Sequence, residues 1–208
     1  MATPDPASTF AHYHGVRFYE SPRALARIVS EFLKEGFAGG SAGIVAAEPS
    51  VRAAIVAELT RQGIDVGDLE QSKRLLLLDA RETMARFMVN GKPNARKFAD
   101  AMCDAIRHLA RSDGASTVRI FGQMVDVLWR DGERDAAIAL ERQWNQFAHA
   151  EVFSLLCGYT MGNFYKDTHF DDICREHSHL VSADGHSTAI SPSPEGPLHS
   201  AGPRRRLV

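Results

Sequence analysis

The sequence lacks the features that assign a chain to a membrane or to nucleic acid. No apolar run approaches the roughly 18 residues that span a bilayer, and 24 Lys and Arg stand against 26 Asp and Glu, for a formal net charge of −2. Residues 1–8 have neither the basic nor the apolar region of a secretion signal. The three cysteines, Cys103, Cys157 and Cys174, are too few and too widely spaced for a disulfide framework. We therefore expect a cytoplasmic protein with reduced thiols that binds neither membrane nor nucleic acid.

The sequence also lacks the common catalytic motifs. No segment matches the phosphate-binding pattern G-x-x-x-x-G-K-[ST], and none forms the G-x-S-x-G nucleophile elbow of hydrolases. The glycine-rich segment 36–43 contains no Lys and precedes a strand, so we interpret it as a helix cap and a turn. Cys157 lies inside an apolar run, where burial would make its thiol inert. We expect no catalytic residues and a protein that is not an enzyme.

Strand and helix patterns alternate along the chain. Short apolar or β-branched runs at 16–19, 42–47, 75–78, 118–121 and 153–159 predict strands, and segments with three- and four-residue apolar spacing between them predict helices. This alternation predicts a three-layer α/β fold with a mainly parallel sheet and helices on both faces. Residues 12–181 would form one domain, between a flexible segment 1–11 and a disordered tail 182–208 that is rich in Ser, Pro and Gly.

Ligands of such folds bind beyond the carboxyl ends of the strands, so the residues that follow each strand are the most informative. The turn Glu48-Pro49-Ser50 puts a carboxylate and a proline without an N–H where a triphosphate would lie, which is unfavourable for ATP. Asp79 is better explained as a helix cap than as a metal ligand. The amide of Gln123 is unable to act as a general base near neutral pH.

Two pairs of histidines have the i, i+2 spacing that allows metal binding from an extended segment. They are His12 with His14 and His177 with His179. Neither pair has a nearby cysteine or carboxylate set in the sequence, so we expect structural or surface roles, no metal site and no cofactor.

Aromatic and mixed-polarity side chains concentrate near the predicted strand ends and on the later helices. A mostly apolar pocket with a few polar groups is the usual form of a small-molecule site. Each aromatic taken alone is equally explained as core, and Glu141 is either a solvated residue or a polar anchor. The predicted ligand-binding residues are His14, Phe18, Tyr19, Glu20, Asp79, Phe121, Gln123, Trp129, Glu141, Trp144 and Tyr159.

The ordered set of motifs from about His14 to His179 resembles the MEDS domain (methanogen/methylotroph, DcmR sensory domain). The segments that carry the resemblance are HGVRFYES (14–21), LKEGF (33–37), LLDARETMARFM (77–88), RIFGQMV (119–125), LW (128–129), LERQWN (140–145) and FSLLCGY (153–159). The sequence departs from the family at Gln123, where members usually carry Glu, which makes a catalytic role there still less expected. The resemblance implies a degenerate RecA/KaiC-like P-loop fold without a working phosphate loop. It also implies a sensory module for small organic ligands that acts with a histidine kinase or a transcription regulator.

Two other functions remain open from the sequence. The fold could serve only as a protein-interaction module that docks on a kinase, on an anti-sigma-type regulator or on its own copy as a homo-oligomer. It could also be a residual nucleotide enzyme that uses Asp79 and Glu20 with magnesium. Because no kinase or helix-turn-helix segment is present, the sensory interpretation expects the output to pass through a separate partner.

Overall fold

The chain forms an α/β fold in the computed structural model, which describes residues 13–109, 117–163 and 170–190. The strands are β1 (Tyr13–Tyr19), β2 (Ala42–Ala47), β3 (Leu75–Asp79), β4 (Met88–Val89), β5 (Lys92–Pro93), β6 (Val118–Gly122), β7 (Phe153–Thr160), β8 (His179–Val181) and β9 (Ser187–Ala189). The helices are α1 (Pro22–Ala38), α2 (Pro49–Arg61), α3 (Val66–Gln71), α4 (Ala80–Ala85), α5 (Ala95–His108), α6 (Met124–Arg130), α7 (Arg134–Phe147) and α8 (Phe170–Arg175).

Seven of these strands form one sheet, in the order β3-β2-β6-β7-β1-β8-β9. Every neighbouring pair is parallel except β8 and β9. The expected α/β fold with a mainly parallel central sheet is confirmed. Parallel pairing brings the carboxyl ends of β1, β6 and β7 to one edge of the sheet, although these strands are far apart in sequence.

The pairing of β1 with β7 decides which polar side chains meet inside the protein. Val16 is the partner of Cys157, and Phe18 is the partner of Tyr159. Because successive side chains of a strand point to opposite faces, His14 lies on the same face of the sheet as Val16 and Phe18. This face is the one that packs against α4, α5, α6 and α7.

The sheet is covered by a separate apolar cluster on each face. One face packs against α1, α2 and α3, and the other packs against α4 to α7. All six residues of β2 are buried, as expected of a strand covered on both sides. Trp144 of α7 meets Phe98 of α5 edge to face, with ring centroids 4.8 Å apart. Each such buried side chain stabilises the fold by about 1.5–3 kcal/mol.

Local sequence signals explain where several helices begin and end. Ser21 caps α1, since its hydroxyl accepts a hydrogen bond from the Ala24 N–H at 3.3 Å, and Pro22 fits the first turn. Asp79 caps α4 by accepting from the Arg81 and Glu82 N–H groups at 2.9 and 3.1 Å. Gly40 has φ of +81° in the turn between α1 and β2. The interpretation of Asp79 as a helix cap, and of the glycine-rich segment as a turn, is confirmed.

The segment after Val181 differs from the sequence-based expectation of disorder from residue 182. β8 and β9 form an antiparallel hairpin that extends the sheet from β1. Tyr13 and Ser187 share a hydrogen bond of 3.0 Å, and Ile190 packs against the core. Composition alone misses this pairing, because backbone hydrogen bonds to an existing sheet edge do not require apolar side chains. The described residues do not include segments 1–12 and 191–208. These segments contain the expected flexible start and most of the expected tail, so the division into domains stays a prediction.

Within the described ranges, no helix has both the length and the apolar character that a membrane crossing requires.

Candidate functional site

A hydrogen-bonded network lies at the carboxyl ends of β1, β6 and β7. Its centre is Asp126, in the first turn of α6, whose side chain is fully buried. The carboxylate accepts hydrogen bonds from the Tyr19 hydroxyl at 3.0 Å, from the Thr160 N–H at 2.8 Å and from the Arg130 Nε at 3.1 Å. We call Tyr19, Gln123, Asp126 and Thr160 the strand-end network. It ties the three strand ends and α6 together.

Gln123 is fully engaged in this network. Its Oε1 accepts a hydrogen bond from the Glu48 N–H at 3.0 Å, and its Nε2 donates to the Tyr19 hydroxyl at 3.0 Å. The side chain is 2% exposed. Gln123 therefore fastens the end of β6 to the start of α2, and its amide acts as a structural link.

Charged side chains surround the outer side of the strand-end network. Glu48 pairs with Arg130 and, at 3.4 Å, with Arg81. Arg81 also binds Asp131 at 2.7 Å, and the pKa of Asp131 is lowered mainly by that hydrogen bond. Arg52 lies 3.8 Å from Asp79. Glu48, Asp79, Asp126 and Asp131 outnumber the three arginines here, so these side chains supply no excess of positive charge for a polyphosphate.

Burial has a clear effect on Tyr19. It raises the pKa of the Tyr19 hydroxyl to about 12, and the neighbouring Asp126 carboxylate adds to the shift. The phenol is therefore protonated throughout the physiological range and donates to Asp126.

A second polar cluster lies in the core between the sheet and α7. His14 of β1, Glu141 of α7, Cys157 of β7 and His177 after α8 each offer one potential ligand atom, and these four atoms all lie within 4.8 Å of one another. Their side chains are buried, with exposures from 0% to 6%. We call these four residues the buried cluster. They come from four separate parts of the chain and meet through the β1–β7 pairing.

Glu141 is the centre of the buried cluster. Its Oε2 lies 3.2 Å from His14 Nε2 and 3.4 Å from Cys157 Sγ. Its Oε1 accepts a hydrogen bond from the Tyr159 hydroxyl at 2.8 Å and lies 3.4 Å from His177 Nε2. Of the two sequence-based alternatives for Glu141, the buried polar anchor is the one observed.

Both histidine rings of the buried cluster are oriented by their outer nitrogens. His14 Nδ1 lies 2.9 Å from Asn145 Oδ1, and His177 Nδ1 lies 2.7 Å from the Ile173 carbonyl oxygen. Both partners are acceptors, so each Nδ1 carries a proton and donates. The Nε2 atoms are then turned inward, toward Glu141 and Cys157.

The pKa shifts in the buried cluster follow from burial and from mutual proximity. Burial by itself would raise the pKa of Glu141, but His177 and His14 outweigh it and hold that pKa far below its ordinary value. Burial, with a smaller contribution from His177, lowers the pKa of His14. Burial and the Glu141 carboxylate raise the pKa of the Cys157 thiol well above its ordinary value. At neutral pH, Glu141 is thus a carboxylate and Cys157 is a thiol.

A cavity of about 610 Å³ lies on the other face of the sheet, between α1 and the β8–β9 hairpin. Its walls include Ile28 and Phe32 of α1, and its floor includes Ser154 and Leu156 of β7. The hairpin closes the remaining side with residues 184–187. We call it the α1–hairpin cavity. It lies toward the amino ends of β1, β6 and β7, away from the strand-end network.

The structure distributes the sequence-predicted ligand residues over several places. Tyr19 and Gln123 belong to the strand-end network, while His14 and Glu141 belong to the buried cluster, which Tyr159 contacts. Glu20 is exposed. The remaining residues are the helix cap Asp79 and the aromatic side chains Phe18, Phe121, Trp129 and Trp144.

The aromatic members of the predicted set pack as core. Phe18 and Trp129 contact Tyr159, with centroids 5.9 and 6.0 Å apart. Trp144 packs against Phe98, while Phe121 belongs to the opposite face of the sheet. The predicted site is therefore not one contiguous pocket.

The residues predicted from the sequence omit four members of these two sites. Asp126 and Thr160 are central to the strand-end network, while Cys157 and His177 complete the buried cluster. A signal for Asp126 was its spacing, since a residue three positions after Gln123 returns to the same side of α6. For His177 the sequence offered the wrong partner: His179 bonds Ser178 and stacks on Tyr13, outside the cluster. His12 lies outside the described residues.

The fold and its polar interior define an α/β domain with a buried polar core and a cavity beside its sheet. A protein-family model described as MEDS, the methanogen/methylotroph, DcmR sensory domain, matches residues 13–178. The chain therefore belongs to the MEDS family of sensory domains. A comparison with curated proteins finds no match for this sequence.

Proposed function

We propose that this protein is a non-enzymatic sensory domain that binds a small organic molecule in the α1–hairpin cavity and relays its presence to a partner regulator or kinase. The observation that carries the proposal is the cavity itself. Its volume of about 610 Å³ falls within the roughly 300–1,000 Å³ of small-molecule sites. Membership of a sensory family supports the role.

The lining of the cavity fits a small molecule with both apolar and polar parts. Phe32 and Leu156 offer apolar surface, while Arg27, Glu31 and Asp184 place charges around it. A ligand that fills such a cavity would bury its apolar part between α1 and the sheet, and would meet the charged groups at its polar end.

The hairpin offers a physical route for relaying the signal. Arg27 donates to the Ala183 carbonyl at 2.9 Å, and Arg17 donates to the Val181 carbonyl at 3.1 Å. A ligand that touches both α1 and the hairpin would strengthen their association. Ligand binding then shifts the position or mobility of the hairpin, which is the change that a partner would read.

The sequence-predicted strand-end site remains a second location to test. Most of its side chains are buried and bonded to one another, so a ligand there would have to displace the strand-end network. A degenerate RecA/KaiC-like origin and the lack of enzymatic activity belong to the same proposal. The mainly parallel sheet supports the first, and the turn after β2, which carries the Glu48 carboxylate and a proline without an N–H, supports the second.

Nuclear magnetic resonance of the full ¹⁵N-labelled chain tests the proposal with named probes, such as phenethylamine and benzoate. We expect at least one probe to shift amide signals of residues 28–32 and 184–187 in a saturable manner. Ser154→Phe would fill the floor of the cavity and abolish these shifts. Val152→Phe, the matched control, adds the same ring at a position that is 63% exposed, and should leave them intact.

Two results would count against a ligand in the cavity. Shifts that survive Ser154→Phe would place the probe elsewhere. A failure of a broad panel of organic amines, alcohols and carboxylates to shift any cavity amide would favour the protein-interaction module instead.

A further inference from the structure

The buried cluster has the composition of a transition-metal site. Two imidazoles, one thiol and one carboxylate converge, and all four side chains are at least nine-tenths buried. Nitrogen, sulfur and oxygen ligands of this kind are those that zinc uses in proteins. The thiol argues against magnesium and calcium, which prefer oxygen ligands alone.

The spacing of three of the ligand atoms matches tetrahedral coordination. Bond lengths of about 2.0–2.3 Å place neighbouring ligand atoms about 3.3–3.6 Å apart around zinc. His14 Nε2 lies 3.2 Å from Glu141 Oε2 and 3.5 Å from Cys157 Sγ. Cys157 Sγ lies 3.4 Å from Glu141 Oε2. One ion therefore fits among these three atoms, and His177 Nε2, which lies within 4.8 Å of the other ligand atoms, would complete the coordination after its side chain moves inward.

The ring orientations match those of metal-binding histidines. Such histidines donate their second N–H to a carbonyl or a carboxylate, which fixes the tautomer and points the other nitrogen at the metal. Asn145 does this for His14 and the Ile173 carbonyl does it for His177. Asn145 is itself held, since its Nδ2 donates to the Glu176 carbonyl at 2.9 Å.

The inward nitrogen of His177 lacks a partner. His177 Nε2 is buried and has no hydrogen-bond partner among the residues that the structure describes. It lies 3.4 Å from Glu141 Oε1, outside hydrogen-bond geometry. A buried acceptor without a partner is unfavourable. A divalent cation among the ligand atoms gives His177 Nε2 the partner that it lacks.

The charges also balance. With the Cys157 thiolate, the Glu141 carboxylate and two neutral imidazoles, a divalent ion gives a neutral site in the core. Binding breaks the S–H bond of Cys157: the proton passes to solvent, and the sulfur lone pair forms the bond to the metal. Because all four positions are filled by protein ligands, the site is of the closed, structural kind.

We propose that His14, Glu141, Cys157 and His177 bind one zinc ion, which fixes the segment after α8 onto β1 and α7. The site does not depend on the sensory proposal, because the buried cluster and the α1–hairpin cavity lie on opposite faces of the sheet.

Metal analysis of the full-length protein from zinc-supplemented cells tests the proposal. Inductively coupled plasma mass spectrometry should find about one equivalent of zinc per chain after gel filtration. His177→Gln and Cys157→Ser should lose it. The matched controls His179→Gln and Cys103→Ser alter a histidine and a cysteine outside the cluster, and should keep it. Asn145→Ala should weaken zinc binding about 10- to 100-fold.

Cobalt exchange and X-ray absorption identify the ligands without relying on the folding of a variant. Wild-type protein refolded with Co²⁺ should show a sulfur-to-cobalt charge-transfer band and tetrahedral d–d bands, and the zinc edge should show one sulfur with nitrogen and oxygen neighbours. Substoichiometric zinc in the wild type, or a metal without a sulfur ligand, overturns the proposal. If the protein binds no zinc but still binds the probe in the cavity, the zinc proposal is wrong and the sensory proposal is unaffected.

Discussion

The Tyr159 hydroxyl donates a hydrogen bond of 2.8 Å to Glu141 Oε1, and both side chains are fully buried. One residue comes from β7 and the other from α7, so this bond joins the sheet to the helix that covers it. Because the acceptor is a carboxylate, the bond is of the strong, charge-assisted kind. It makes Tyr159 the clearest place to measure what the polar core contributes to folding.

Tyr159→Phe removes this hydroxyl while leaving the ring in place. A hydrogen bond to a charged, buried acceptor is worth about 1.5–3 kcal/mol, so we expect the free energy of unfolding in urea to fall by that amount. Tyr13→Phe, which removes an exposed hydroxyl bonded to Ser187, is the control and should change the same quantity by about 0.5 kcal/mol or less. Equal effects of the two changes would contradict a special role for Glu141.

The strand-end network predicts a loss of stability at alkaline pH. The folded protein holds the Tyr19 proton with a pKa of about 12, against an ordinary value of 10.0. Deprotonation therefore favours the unfolded chain: the stabilisation is fully present below pH 10 and is lost as the pH rises from 10 to 12. Two pKa units correspond to about 2.7 kcal/mol, which solvent screening reduces to about 2 kcal/mol.

Urea denaturation across pH 9–12 tests this assignment. Other tyrosines also titrate there, so the informative quantity is the difference between the wild type and Tyr19→Phe. The variant should lose less stability than the wild type over this range. Parallel curves would show that Tyr19 titrates normally in the folded protein.

How far the sequence predicted the fold is clearest from the strands. The five principal strands lie where apolar runs predicted them, because a strand buried on both faces requires such a run. The short helix α3 was not predicted, and β9 falls within a segment expected to be disordered. Their local sequences carry weak patterns, and their structures depend on contacts with distant parts of the chain.

The sites were harder to predict than the fold. Glu141 and His14 were among the expected ligand residues, but their partners Cys157 and His177 were assigned elsewhere. Local patterns place a residue on a helix or a strand, whereas the meeting of β1 with β7 across about 140 residues follows only from sheet order. The i, i+2 spacing of His177 and His179 therefore suggested a pair that the fold does not use.

ATP with magnesium should neither stabilise the protein nor be hydrolysed. Near the carboxyl ends of the strands, the ion pairs of the described residues join four carboxylates to three arginines, and none of these pairs includes a lysine. We expect no change of thermal midpoint in millimolar ATP. Saturable ATP binding that Asp79→Asn abolishes would revive the residual nucleotide enzyme, and Asp135→Asn, at an exposed position, is the control.

Truncation measures what the hairpin contributes. A chain that ends at Ile190 keeps β8 and β9, and should match the full chain in its thermal midpoint. A chain that ends at Val181 loses β9 and with it residues 184–187, which close one side of the α1–hairpin cavity. We expect it to lose roughly 2 kcal/mol, or about 4–8 °C in midpoint, together with all probe binding in the cavity. Undiminished probe binding by the shorter chain would remove the hairpin from the proposed site.

A crystal structure of the full chain soaked with a probe that shifts the amide signals tests the sensory account most directly. The account predicts electron density for the probe between Phe32 and the hairpin, above Ser154 and Leu156, with the strand-end network unchanged. Density lodged instead against Tyr19 and Gln123, with the α1–hairpin cavity filled only by water, would contradict it.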